Sequence, residues 1–181
     1  MRPPSPPRPQ RLRPVVPAVL ALGSNLGDRE ATIRGAVADI GALPGVILDA
    51  VSSLVQTPAI KLSGVDASAP RYLNAVATIH TSRTPHDLLD ALNAIEAKHG
   101  RVREERWGDR TLDLDIIDFA GRVIDDPRLT LPHPRAWERA FVLIPWLELN
   151  PEATLTGYGR ADALLATATD EVVPYSKDVG R

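Results

Sequence analysis

The spacing of apolar residues along this chain predicts four strands and two helices in the order strand, helix, strand, strand, helix, strand. Apolar runs at 19–22, 46–56, 72–81 and 111–119 are interpreted as the strands. Asp28 and Thr84 are predicted N-caps of helices whose apolar side chains recur every three or four positions. Those side chains are Ile33, Val37 and Ile40 in the first helix and Leu88, Leu92 and Ile95 in the second. This order predicts an α+β fold with a ferredoxin-like βαββαβ core, in which two helices cover one face of an antiparallel sheet.

The segments between and after these elements are predicted to be irregular. A turn is expected directly after Leu22, at residues 23–25. Residues 57–71 contain two Pro and one Gly and are expected to form a long loop, a kind of loop that is often functional. Residues 101–110 are a charged loop, and residues 120–181 are expected to form a tail of turns and short helices. Pro145 argues against one uninterrupted helix through residues 134–149.

Charge and composition restrict the classes of protein to consider. Residues 1–17 contain four Arg, seven Pro and no acid, and we expect a disordered leader there, followed by a single domain over 18–181. Without the leader, 17 basic and 23 acidic residues remain, which argues against a general nucleic-acid binder. Cysteine is absent, which excludes disulfides and Cys-ligated metals, and no apolar run has the length of a membrane span. A cytoplasmic protein fits this composition.

A pair of acids in the last predicted strand is the first candidate site. Asp113 and Asp115 share one face of that strand, whereas Leu112, Leu114 and Ile116 face the core. Two neighbouring carboxylates repel each other, and a Mg²⁺ ion would satisfy both while also accepting substrate phosphates. A solvated sheet face is the more common role of two acids at this spacing, and that interpretation stays open.

Four arginines lie within ten residues just before these acids, namely Arg101, Arg103, Arg106 and Arg110. The guanidinium group binds phosphate oxygens through two parallel hydrogen bonds, so arginines beside metal-binding carboxylates suit a polyphosphate substrate. Pairing with Glu104, Glu105 and Asp109 would instead make the same run a nearly neutral surface loop. Both interpretations remain possible from this run alone.

A second group of residues strengthens the polyphosphate interpretation. His133, Arg135 and Arg139 add possible phosphate contacts, and Phe141 adds an aromatic ring. The chain has no phosphate-binding P-loop motif, and the glycines at 23 and 27 match a phosphate cradle poorly, so side chains would have to hold any phosphate. Tyr72 and Asn74 could stack on and hydrogen-bond a flat heterocycle, although packing is the commoner role of such a Tyr.

With these motifs the sequence resembles the 6-hydroxymethyl-7,8-dihydropterin pyrophosphokinase family over about residues 18–155. Six blocks carry the resemblance, in this order: 22–28 (LGSNLGD), 56–58 (QTP), 72–74 (YLN), 96 with 100–101 (E, GR), 106–108 with 110–116 (RWG, RTLDLDI) and 131–135 with 138–139 and 141–143 (LPHPR, ER, FVL). The resemblance implies transfer of pyrophosphate from ATP to the hydroxymethyl group of the pterin in folate biosynthesis, with release of AMP.

The resemblance also implies roles for individual residues. The implied catalytic residues are Arg101, Arg110, Asp113 and Asp115, and the two acids would hold two Mg²⁺ ions. The implied ATP contacts are Glu96, Arg101, Arg103, Trp107, Arg110, Ile116, Arg128, Thr130, His133 and Arg139. The implied pterin contacts are Thr57, Pro58, Ile60, Tyr72, Asn74, Trp107, Asp113 and Phe141. Small molecules would be the only partners, without nucleic acid or membrane, and a monomer is expected.

Two other classes of protein share the predicted fold. A polymerase- or cyclase-like enzyme would also place two acids on a sheet to hold Mg²⁺, but it leaves the Tyr72 and His133 blocks unexplained. An RNA-recognition module would need exposed aromatic residues and a basic sheet face, whereas residues 111–119 present acids.

Overall fold

The computed structural model describes residues 13–61, 64–66, 70–100 and 111–176. In chain order its elements are β1 (Val16–Ser24), α1 (Arg29–Gly41), β2 (Val46–Val51), β3 (Val55–Thr57), β4 (Ala59–Lys61), β5 (Gly64–Asp66), β6 (Tyr72–Thr81), α2 (Pro85–Lys98), β7 (Asp113–Phe119), β8 (Ile124–Asp125), β9 (Thr130–Leu131), a 3₁₀ helix (Ala136–Glu138), α3 (Ala140–Leu149), β10 (Thr154–Leu155), β11 (Gly159–Arg160), α4 (Ala161–Leu165) and β12 (Val173–Pro174). None of the helices in these ranges combines the length and apolar character needed to cross a bilayer.

The main sheet confirms the ferredoxin-like prediction. β1 lies between β6 and β7, and β2 and β3 both pair with the other edge of β6. All of these pairs are antiparallel, so the four predicted strands lie in the spatial order fourth, first, third, second. β12 adds a further antiparallel strand beyond β3.

Both faces of the sheet are covered. The first face carries α1 and α2, and its core includes Leu20 of β1, Ile33 of α1 and Leu92 of α2. The second face is covered by the 3₁₀ helix, α3 and α4, with Val142 and Trp146 in its core. The predicted tail is therefore a third layer of the fold, since its apolar residues bury the face that the two predicted helices leave open.

Both predicted helix starts are confirmed by their caps. The Asp28 side chain accepts a hydrogen bond from the Ala31 N–H at 3.0 Å. Thr84 and Asp87 form a capping box, in which each side chain accepts a hydrogen bond from the other residue's backbone N–H. These bonds satisfy N–H groups that have no partner within the helix.

The strand predicted at 46–56 is divided in two. The Ser52 hydroxyl accepts a hydrogen bond from the Val76 N–H at 2.9 Å, while the Ser52 N–H donates to the Val76 carbonyl at 2.9 Å. The Ser52 hydroxyl thus takes the place of a backbone carbonyl as the acceptor for the Val76 N–H. This interrupts the pairing of the two backbones, so β2 ends at Val51 and β3 begins after Leu54. The predicted loop at 57–71 contains the short pair β4 and β5.

Three other boundaries differ from the predictions. β1 begins at Val16, inside the predicted leader, because Val16 pairs with Thr81 and packs against the core; residues 1–12 lie outside the described residues. β1 also continues through Ser24, into the turn predicted at residues 23–25. No single helix spans 134–149, as predicted, but the break lies at Arg139, and α3 continues through the buried Pro145. The proline removes only one helical hydrogen bond, and the apolar burial of α3 outweighs that loss.

Asp118 connects β7 to the third layer, and its removal tests that connection. This residue is 9% exposed, and its carboxylate accepts hydrogen bonds from the Thr156 hydroxyl at 2.6 Å and the Gly121 N–H at 3.1 Å. Asp118→Ala leaves both donors without this partner, so we expect it to lower the free energy of unfolding by about 2 kcal/mol. Urea denaturation measures the change, with the exposed Asp125→Ala as control. A loss for Asp118→Ala as small as that of the control would contradict this role.

Candidate active site

The two acids of β7 lie on the face of the sheet that α3 covers. Asp113 pairs with Gly23 of β1, and Asp115 pairs with Ala21. Leu114 and Ile116 point into the opposite core, as the strand alternation predicts. Both acids are half-buried, and the side chain of Asp115 is 36% exposed. The carboxylates therefore lie together at an accessible surface.

Arg139 brings positive charge to this face. It is half-buried at the start of α3, where burial lowers the pKa of its guanidinium and the charges of Asp115 and Asp113 act in the opposite direction. Arginine stays protonated in proteins under such conditions. Its guanidinium carbon lies 5.5 Å from the centre of the Phe141 ring. Arg139 thus lies against an aromatic ring and within electrostatic range of both acids.

His133 presents a neutral imidazole to the same acids. Its Nδ1 accepts a hydrogen bond from the Arg135 N–H at 3.1 Å, so the proton of the neutral ring is on Nε2. Nε2 lies 3.7 Å from Asp115 Oδ2, which is too far for a hydrogen bond. Burial, and then the charge of Arg139, lowers the pKa of His133 to about 4. At neutral pH this side chain can therefore donate one hydrogen bond without adding charge.

A row of three residues across the sheet forms the floor beside the acids. Asn74 of β6, Gly23 of β1 and Asp113 of β7 are direct neighbours, so their side-chain positions face the same way. Strands are about 4.8 Å apart, which separates the backbones of Asn74 and Asp113 by about 10 Å. A Cβ atom at Gly23 would lie 3.1 Å from Asn74 Oδ1 and 4.0 Å from the Leu73 carbonyl oxygen, with no other heavy atom of the described residues within 4 Å. Among the described residues, the buried Gly23 thus leaves unfilled the position between Asn74 and Asp113 that a side chain would occupy.

Polar and aromatic groups line this floor. Asn74 is 5% exposed, and its Nδ2 donates a hydrogen bond to the Thr57 hydroxyl oxygen at 3.1 Å, which directs Oδ1 toward Gly23. Tyr72 lies on the same face of β6, and Phe141 is in the first turn of α3. Both rings are half-buried. The arrangement can hold a flat heterocycle beside a charged, phosphate-bearing group.

Other predicted ATP contacts lie around the outer edge of β7. Glu96 of α2 is 2% exposed, and its Oε1 accepts a hydrogen bond from the Leu114 N–H at 2.7 Å. In an antiparallel strand, the backbone N–H and C=O groups of residues two positions apart point to the same edge, so those of Ile116 face this edge as those of Leu114 do. The Ile116 side chain is buried in the core. Thr130 is exposed in β9, and exposed Arg128 pairs with Asp90 of α2.

The remaining predicted residues are only partly described. Pro58 is half-buried next to Thr57, and Ile60 lies in β4. Arg101, Arg103, Trp107 and Arg110 lie outside the described residues.

Gly23 is the feature of this site that the sequence interpretation missed. The sequence alone gives it no binding role: it indicates a turn residue and a poor phosphate cradle, and the family resemblance includes it only as one residue of the 22–28 block. The sequence signal that could have found it is a glycine directly after the apolar run 19–22, because a glycine within a strand often marks the close approach of a ligand.

Comparisons with known proteins identify a family. Residues 19–151 match the family model described as 7,8-dihydro-6-hydroxymethylpterin-pyrophosphokinase (HPPK). Three similar proteins are named 2-amino-4-hydroxy-6-hydroxymethyldihydropteridine pyrophosphokinase. That of Methylorubrum extorquens is 43% identical over 81% of this chain and 90% of its own length. That of Pseudomonas aeruginosa is 43% identical over 84% and 91%, and that of Bacillus subtilis is 44% identical over 73% and 77%.

Solved structures agree with the fold. The crystal structure of wild-type Plasmodium falciparum HPPK-DHPS with pterin and p-hydroxybenzoate superposes with a TM-score of 0.65 at 16% identity, over 87% of this chain and 44% of that one. A structure of HPPK-DHPS in complex with substrates gives 0.63 at 12% identity, over 85% and 43%. The present chain thus spans less than half the length of either structure. From the family match and these relatives, the chain belongs to the 7,8-dihydro-6-hydroxymethylpterin-pyrophosphokinase family and transfers pyrophosphate to 6-hydroxymethyl-7,8-dihydropterin in folate biosynthesis.

Proposed function

We propose that ATP donates the pyrophosphate, that Asp113 and Asp115 hold two Mg²⁺ ions with its phosphates, and that AMP is released. The observation that carries this proposal is the placement of two half-buried carboxylates on one sheet face beside Arg139. A polyphosphate needs metal ligands and fixed cations in the same place.

The donor set suits Mg²⁺ that arrives with the nucleotide. Among the described residues, no group of three or more metal-binding side chains occurs. Mg²⁺ is commonly bound by one or two carboxylates, with water and substrate phosphates as its other ligands. When bound, the ions supply positive charge to the phosphate oxygens and to the attacking hydroxyl group. Asp113 and Asp115 would hold them, and the repulsion between the two carboxylates would be relieved.

The phosphate side of the site is assigned to residues around β7. Arg139 offers a guanidinium to phosphate oxygens, and His133 donates from Nε2. Glu96, Ile116, Arg128 and Thr130 are proposed to contact the nucleotide along the outer edge of β7. Arg101, Arg103, Arg110 and Trp107 keep the ATP-binding roles that the family resemblance implies, with Arg101 and Arg110 steadying the transferred group.

The pterin is proposed to lie over Gly23. Tyr72 and Phe141 would stack on its two faces, and Asn74 Oδ1 would accept a hydrogen bond from the ring edge. Thr57, Pro58 and Ile60 would line the same edge, with Asp113 near the hydroxymethyl group and Trp107 covering the site. The Asn74–Thr57 hydrogen bond supports this assignment, because it fixes the amide orientation before the pterin binds.

The reaction then requires alignment and charge neutralisation more than a strong base. The hydroxymethyl oxygen attacks the β-phosphorus of ATP, the bond from that phosphorus to the α,β-bridging oxygen breaks, and AMP leaves while the hydroxyl proton is released. Arg139 and His133 would neutralise or hydrogen-bond the phosphate oxygens as charge moves toward AMP. The floor at Gly23 would place the hydroxyl group in line with the leaving oxygen.

Product analysis tests this proposal. Incubation with Mg²⁺, pterin and ATP labelled at the γ-phosphate should form one AMP per pyrophosphorylated pterin and place the label in the pterin product. Excess EDTA should abolish turnover, and added Mg²⁺ should restore it, because the carboxylates alone leave the phosphate charge unneutralised. A reaction without pterin is the control. Formation of ADP or free pyrophosphate as the main product, or activity unaffected by EDTA, would overturn the proposal.

A single copy of the chain is proposed to be sufficient, as a monomer with one domain over about 18–181. The acids, Asn74, Arg139 and Phe141 all come from one chain, and the two cores share one sheet. We also propose a cytoplasmic location, where ATP is supplied.

A further inference from the structure

The start of α3 is held by a residue far along the chain. Arg139, the N-cap residue of this helix, makes no side-chain cap hydrogen bond. Instead, the Asp170 carboxylate accepts hydrogen bonds from the Ala140 N–H at 2.8 Å and the Phe141 N–H at 3.3 Å. A negative charge at a helix N-terminus is also favoured by the helix dipole. Asp170 therefore replaces the missing local cap.

One of the two capped residues, Phe141, belongs to the candidate active site. Arg139 and Phe141 lie on either side of Ala140, and the Arg139 guanidinium contacts the Phe141 ring. Because Asp170 binds the Phe141 N–H itself, it restricts the backbone from which the Phe141 ring projects. A shift of this turn would move the ring proposed to stack on the pterin.

The residues after Asp170 attach next to Thr57 and Tyr72, two other residues of the proposed pterin site. Glu171 pairs with Arg71 at 3.0 Å, next to Tyr72. Val173 pairs with Gln56, and the Tyr175 N–H donates to the Leu54 carbonyl oxygen at 3.0 Å. The segment 170–175, which we name the C-terminal strap, thus connects the start of α3 to β3.

We propose that Asp170 is a positioning residue for pterin binding, which acts by fixing Phe141 through the first turn of α3. The inference rests on the pterin site proposed above. Asp170 lies beyond residue 151, where the match to the family model ends. The C-terminal strap anchors this cap, because the pairing of Glu171 with Arg71 and of Val173 with β3 fixes the backbone that directly follows Asp170.

Steady-state kinetics of four variants test the proposal. Asp170→Ala removes both hydrogen bonds, and we expect the KM for pterin to rise by about threefold to tenfold, the size of effect that the loss of a helix cap produces. The KM for ATP should stay within about twofold. Asp170→Asn keeps one acceptor oxygen and should give an intermediate KM for pterin, which also covers the case in which Asp170→Ala fails to fold. Asp162→Ala is the matched control, since this exposed acid lies in the first turn of α4 and pairs with Arg160 rather than with the backbone of α3.

The fourth variant, Phe141→Ala, separates the two levels of the proposal. A selective increase in the KM for pterin in Phe141→Ala and in both Asp170 variants, with Asp162→Ala unchanged, supports the positioning role. A normal KM for pterin in folded Asp170 variants, or equal increases in the KM values for pterin and ATP, overturns the positioning role. In either case Phe141→Ala still tests the pterin site by itself. A normal KM for pterin in Phe141→Ala overturns the pterin site and the positioning role together.

Discussion

Replacing Asp115 by Ala is expected to lower kcat by about a thousandfold or more while the protein stays folded. The carboxylate is one of the two proposed to hold Mg²⁺, and the remaining acid alone would hold the ions too weakly to neutralise the phosphates. Its side chain is 36% exposed, so truncation leaves no cavity in the core. Pterin binding should survive, because the floor at Gly23 and its neighbour Asn74 is unchanged. Initial rates at saturating substrates and pterin binding by calorimetry measure both expectations.

Asp49 offers a matched control for this variant. It is also an acid on a strand beside a histidine, with Asp49 Oδ2 lying 2.7 Å from His80 Nδ1 and a side-chain exposure of 34%. Asp49→Ala should leave kcat unchanged. Asp115→Asn, which keeps the shape and removes the charge, should be nearly as inactive as Asp115→Ala. Full turnover in either Asp115 variant would refute the metal assignment.

A side chain at Gly23 is expected to block the pterin. In Gly23→Val the added carbons would fill the space between Asn74 and Asp113, and the Cβ alone would lie 3.1 Å from Asn74 Oδ1. The valine carbons would clash with a pterin bound over Gly23 or displace it from its reactive position. We therefore expect kcat/KM for pterin to fall by about a hundredfold or more. The affinity for ATP should change by less than about threefold, since the proposed nucleotide contacts lie along the edge of β7.

Smaller and remote substitutions show whether the effect depends on the floor. Gly23→Ala should give a weaker loss in the same direction. Gly41→Ala is the control, because a Cβ there meets Leu48 at an ordinary 3.7 Å and lies outside the site. Binding of pterin by Gly23→Val with unchanged affinity would place the substrate elsewhere.

The order of the elements could be predicted because it depends on local signals. Strand alternation and the caps at Asp28 and Thr84 act over a few residues, and both helices begin where those signals lie. The division of the 46–56 strand could not be predicted, since it depends on the Ser52 hydroxyl reaching Val76 on another strand. The cap of α3 likewise comes from a distant residue, since the Ala140 N–H donates to Asp170, thirty residues further along the chain.

In the candidate site, too, the features set by local sequence could be predicted, and those set by contacts between distant residues could not. That Asp113 and Asp115 share a face follows from the two-residue period of a strand, which the sequence displays directly. The neutral state of His133 does not, because it arises from burial, from Arg139 and from a backbone N–H that only the folded chain brings near. The space over Gly23 also needs the pairing of three strands.

The row formed by Asn74, Gly23 and Asp113 also limits how the length of this chain can change in evolution. Inserting or deleting one residue within β1 would reverse its alternation, turning Leu22 outward to the substrate and Gly23 into the core. A one-residue insertion or deletion within β6 would likewise move Asn74 to the other face of the sheet, and one within β7 would move Asp113 and Asp115. Homologues that gain or lose residues should therefore do so in the connections between the strands, where pairing is unaffected.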